Sequence, residues 1–184
     1  MGMKARASRA ALAALLVATL AGCGAATLKR VYTAAAYKVA KVPTEGMLPT
    51  IKPGDYISID EGYYRNHPVR RFDVVVFTLP PENLPPDAPG VDAGTVLVKR
   101  VVALGGETVE VRGGRVYVNG EPLTEPFATV PLGPRDRFGP VEVPEGELFL
   151  MGDNRPNSLD GRYWARPTLP AQFVRGKLAE VFQE

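Results

Sequence analysis

The chain predicts a mostly β, antiparallel fold, barrel-like or folded over on itself, preceded by an N-terminal signal or membrane segment. Three observations predict it. Short runs rich in Val, Ile, Phe and Tyr recur between Gly and Pro punctuation from Pro43 onward. Two of them, Thr108–Arg112 and Arg115–Asn119, alternate apolar and polar residues across Gly113-Gly114. That pair signals a tight hairpin, because a primed turn needs positive φ at its centre. No long amphipathic helical pattern follows residue 42, which leaves antiparallel pairing as the way to bury the apolar residues.

At the N-terminus, Lys4, Arg6 and Arg9 precede an apolar stretch from Ala10 to Ala21, closed by Leu20-Ala21-Gly22-Cys23. This is the layout of a secretory signal peptide. Its ending resembles a bacterial lipobox, so residues 1–22 are expected to be removed and Cys23 lipidated. An uncleaved transmembrane anchor is the alternative, since no charge interrupts Ala10 to Leu28. The run is rich in Ala, Gly and Thr rather than Leu, which makes a poor permanent anchor. Cys23 is the sole cysteine, so no intramolecular disulfide can form. Residues 23–41 are expected to be a tether, whose latter part could instead be a membrane-lying helix or a first strand.

A β domain is expected over 42–184. Its strands are read at Tyr56–Ile59, Asp73–Leu79, Thr95–Ala103, Thr108–Arg112, Arg115–Asn119, Leu148–Met151 and Phe173–Val181. Pro80 to Gly94 holds five prolines and reads as an exposed loop. There are 22 basic and 20 acidic side chains, and three of the basic ones precede the apolar run, so the remainder is close to neutral. Phosphate binding needs clustered Lys and Arg, so a nucleic-acid partner is excluded. With one Cys and one His67, neither a zinc site nor a Ser/His/Asp triad is easily built, and no metal or cofactor is expected.

Four segments, in order, resemble the type I signal peptidases: Val42-Pro-Thr-Glu-Gly-Met-Leu-Pro-Thr-Ile51, Arg71-Phe-Asp-Val-Val-Val-Phe77, Val98-Lys-Arg-Val-Val-Ala-Leu-Gly-Gly-Glu107 and Met151-Gly-Asp-Asn-Arg-Pro-Asn-Ser-Leu-Asp-Gly-Arg162. A fifth, Val116-Tyr-Val-Asn-Gly-Glu-Pro-Leu123, also has a counterpart there. The resemblance implies a Ser/Lys dyad, with Gly46 at the position of the nucleophilic serine and Lys99 at that of the general base. A lysine serves as base only when neutral, which burial promotes. Leu97 and Val101 share its strand face. The resemblance further puts Thr44 at an oxyanion-hole hydroxyl and Gly161 where a serine hydrogen-bonds the lysine. Ser158, Asp160 and Arg162 are supporting residues of the last box. Asp153, Asn154, Arg155 and Asp160 read as a structural turn in which an Arg forks to a carboxylate.

Gly46 has no side chain and can attack nothing. The sequence therefore reads as a signal-peptidase scaffold, membrane-associated and extracytoplasmic in a bacterial envelope, with degenerate catalysis. Two alternatives stand beside this: a lipid-anchored module holding an extended peptide, such as the signal region of an exported protein, or an active peptidase with a substitute nucleophile such as Thr44.

Overall fold

The computed structural model describes residues 38–128 and 130–183. The segment read as a signal peptide (1–22), Cys23 and most of the 23–41 segment lie outside the described residues. Where that segment becomes visible it is a strand, β1 (Lys38–Lys41), paired antiparallel with β2 (Tyr56–Asp60). The β domain therefore takes in residues before 42.

The remaining strands are β3 (Val74–Thr78), β4 (Val96–Leu104), β5 (Thr108–Arg112), β6 (Arg115–Val118), β7 (Glu121–Pro122), β8 (Phe138–Glu142), β9 (Glu147–Met151), β10 (Thr168–Pro170) and β11 (Val174–Phe182). They form two antiparallel sheets, a seven-stranded one in the order β1-β2-β11-β3-β4-β9-β10 and a four-stranded one in the order β7-β6-β5-β8. All seven strands read from the sequence are present. The hairpin between β5 and β6 turns on Gly113 and Gly114 at φ 58° and 77°, the positive values that a primed turn demands.

Three apolar clusters hold the sheets. Val42, Met47, Ile51, Ile57, Ile59, Val74, Val76 and Val98 fill one face of the larger sheet; Val75, Phe77, Leu79, Val101, Leu148, Leu150, Trp164 and Leu169 fill another. The third joins β4 and β9 to the small sheet, through Val102, Ala103, Phe149 and Met151 against Val109, Val111, Val116 and Val118. The β4–β9 register shifts between Val101 and Ala103. Such an irregularity kinks and twists a strand, and on β4 the buried residues Val98 and Val101 before it belong to the large sheet's clusters while Val102 and Ala103 belong to the third.

The Pro80–Gly94 segment departs from the reading of an exposed loop at one point. Asn83 is fully buried, and its Nδ2 donates to the carbonyls of Arg166 (2.6 Å) and Thr168 (2.9 Å), pinning the segment beside β10.

Candidate active site

The loop from Val42 to Ile51 is anchored before it carries any chemistry. Met47 and Ile51 are buried in the cluster with Ile57 and Val98, and the loop closes with Ile51 N–H donating to the Met47 carbonyl at 2.9 Å. From the other side the last box grips it. Asn154 N–H donates to the Gly46 carbonyl at 3.2 Å, and Asn154 Nδ2 to the Glu45 carbonyl at 3.1 Å. Sequence reading placed Asn154 in a turn and missed this role, since nothing local links residues so far apart.

Lys99 arrives from β4, where it pairs with Val75 of β3. It is 5% exposed, and its Nζ donates to the Val98 carbonyl at 3.1 Å. Burial pushes the ammonium below its usual 10.5, while the carboxylates of Asp160 and Asp153 pull it part of the way back. A Cβ added at Gly46 would lie 3.5 Å from Lys99 Nζ, 3.6 Å from Ser158 Oγ and 3.7 Å from the Asn157 carbonyl oxygen. Gly46, Lys99 and Ser158 are thus brought to one point, and all three are buried. Ser158 Oγ has no hydrogen-bond partner among the described residues.

Around this point the charges are locked in pairs. Arg162 forks onto Asp160 through Nε–Oδ1 and Nη2–Oδ2, both at 2.8 Å, while Gly152 N–H donates to Asp160 Oδ2 at 2.9 Å. Arg100 forks onto Asp153 at 2.7 and 2.6 Å, and Thr50 Oγ1 donates to the same carboxylate at 2.5 Å. Arg155, 1% exposed, forks onto Glu125 at 2.8 and 2.6 Å. The sequence foresaw an Arg–carboxylate fork in the last box, but not Glu125 as a partner, because it lies outside every segment singled out for chemistry. With two carboxylates already committed to guanidinium groups, Lys99 has no direct ion pair among the described residues.

Gly161 does not occupy the place expected of it. A Cβ there would meet the Pro167 carbonyl at 2.6 Å, Phe149 Cε2 at 2.9 Å and the Leu150 carbonyl at 3.1 Å, so close packing excludes a side chain. The last-box hydroxyl beside position 46 belongs to Ser158 instead. Thr44 is exposed on its loop, Met47 and Trp164 are core residues, and exposed His67 stacks on Tyr63. Among the described residues no group of His, Cys, Asp and Glu could hold a metal ion, and no helix is long and apolar enough to cross a membrane.

The arrangement can take a proton from whatever sits at position 46, and Gly46 supplies no group to give one. Comparison with known proteins places the site in a family. A probable signal peptidase I-1 of Synechocystis sp. is 42% identical over 135 residues, covering 73% of this chain and 65% of that protein. A signal peptidase I of Leptolyngbya laminosa is 39% identical over 141 residues, 77% of this chain and 66% of that one. The chain thus spans about two thirds of the length of these relatives. A crystal structure of a signal peptidase I from Enterococcus faecalis is 29% identical, covering 61% of this chain and 98% of that one at a TM-score of 0.48. The family model described as "Signal peptidase, peptidase S26" matches residues 12–182, nearly the whole chain, and the protein belongs to that family.

Proposed function

We propose that this protein is a signal-peptidase-type domain that keeps the lysine and the surrounding frame but has lost the serine step. It would act on the extended signal region of exported precursors chiefly by holding it, as a strand added to the sheet edge. One observation carries this reading: a side chain at position 46 would point at Lys99 Nζ and Ser158 Oγ, and Gly46 has none. The similarity to signal peptidases I supports the substrate class. Membrane association and an extracytoplasmic location in a bacterial envelope belong to the same proposal, through a lipid on Cys23 or a single N-terminal span. An unmodified cysteine in the intact mass of the mature protein would exclude the lipid. Thr44 is exposed whereas the base is buried, so attack by Thr44 forms no part of this reading.

The test is cleavage of a precursor with a small-x-small signal site by the native chain, Gly46→Ser, and Gly46→Ser combined with Lys99→Ala. Restoring the hydroxyl is expected to raise turnover by about 10⁶, the usual cost of deleting such a nucleophile, and the gain should vanish without Lys99. A folded Gly46→Ser protein that cuts no faster than the double variant would overturn the proposal.

A further inference from the structure

Losing a serine side chain does not empty a site of chemistry when the groups that served it remain. Lys99 Nζ, Ser158 Oγ and the Asn157 carbonyl converge on the point where a side chain at residue 46 would begin, at 3.5, 3.6 and 3.7 Å. The set is complementary: an amine whose charged form burial disfavours, a hydroxyl that donates or accepts, and a carbonyl that accepts. Ser158 Oγ is buried and unpartnered among the described residues, a state that is costly unless something hydrogen-bonds to it. A water molecule needs two to four polar partners, and one in van der Waals contact with Gly46 Cα, displaced beyond that point toward Lys99 Nζ and Ser158 Oγ, would take up the place of a serine oxygen between them.

The geometry points to a hydrolytic water held at the Gly46 seat by Lys99 and Ser158, which makes this protein a slow peptide hydrolase that forms no covalent acyl-enzyme. The inference rests on the reading of the site as a lysine base without its serine, and adds a reaction to it. Lys99 Nζ takes one proton from the water while the water oxygen forms a bond to the substrate carbonyl carbon. The C–N bond then breaks, and the Lys99 ammonium returns its proton to the leaving amine. One water is consumed, a carboxylic acid and an amine are released, and nothing is oxidised or reduced. Ser158 orients the water without touching the substrate, so it is a positioning residue.

The experiment uses the full chain in excess over a peptide with small residues at the first and third positions before the cut, followed by mass spectrometry. Native protein, Gly46→Ala, Lys99→Met, Ser158→Ala and Gly46→Ser are compared, with thermal melts as the folding control. Alanine at position 46 makes only ordinary contacts and no strained backbone, so that variant should fold. Native cleavage is expected about 10³-fold or more above the uncatalysed rate, and far below Gly46→Ser. Gly46→Ala fills the seat with a methyl group and should fall to the Lys99→Met background. Ser158→Ala should lose about 10-fold, with the Lys99-dependent pH profile retained. The inference is overturned if native cleavage equals the Lys99→Met background, if Gly46→Ala cuts as well as native, or if an acyl adduct appears on the chain. Native protein at background beside an active, Lys99-dependent Gly46→Ser would sink the water and spare the lysine-base reading. An inert Gly46→Ser would sink both.

Discussion

Replacing Lys99 by Met keeps most of the length of the side chain and removes the buried amine, and the pH dependence of stability then reports that amine directly. In the native protein burial holds the amine below 10.5, whereas the unfolded chain exposes it to water. Between the native pKa and 10.5 the unfolded chain binds one proton more than the folded one, so stability rises with pH across that window. The slope is up to about 1.4 kcal/mol per pH unit for a single group. Lys99→Met has no such slope. Its advantage over native should be smallest near pH 10.5 and grow as pH falls, levelling where the native amine also becomes protonated. Urea unfolding of both proteins at half-unit steps from pH 7 to pH 10.5 gives the difference, in which other titrating groups cancel. Parallel curves would mean that Lys99 stays charged in the folded protein, and the argument for a base at this position would collapse.

Three further outcomes follow from the frame around the site. Glu125→Gln leaves Arg155 buried without its carboxylate and should cost roughly 3 to 5 kcal/mol, read as a lower urea midpoint. Asp153→Asn strips Arg100 and Thr50 of their common acceptor; a loss of about 3 kcal/mol should come with faster amide exchange in the loop carrying Gly46. Gly161→Ala drives a methyl group into two carbonyls and a ring, and should lower the melting temperature by the equivalent of about 1 to 3 kcal/mol. An unchanged melting temperature there would show that the close packing is not real.

Strands with strong period or β-branched content could be read directly: Val74–Thr78 and Val96–Leu104 announce themselves, and Gly113-Gly114 names its own turn. The strands that escaped had no such signal. β8 reads Phe-Gly-Pro-Val-Glu, mostly exposed, and is a strand because β5 offers it an edge; β7 and β10 are too short to show a period. For the candidate site, family motifs pointed to Gly46 and Lys99, and the fold brings Ser158 rather than Gly161 beside them. They stand three residues apart in one turn-rich box, and sequence spacing says nothing about which of them faces β4. Glu125 was illegible for a related reason, since its partner Arg155 is 30 residues away and joined only by the fold.

The place of β11 in the sheet order has a consequence for the birth of the protein. The strand β11 lies between β2 and β3, two early ones, pairing with β3 through Val174–Lys177 and with β2 through Lys177–Phe182. A chain emerging N-terminus first therefore cannot join β2 to the rest of the sheet until β11 appears. The loop with Gly46 shares one apolar cluster with β2, β3 and β4, and Leu178 and Val181 of β11 pack against that cluster. Truncation before Val174 should therefore uncover the cluster beneath that loop and loosen the meeting of position 46 with Lys99, leaving the contacts from Asn154 and Asp153 to hold it.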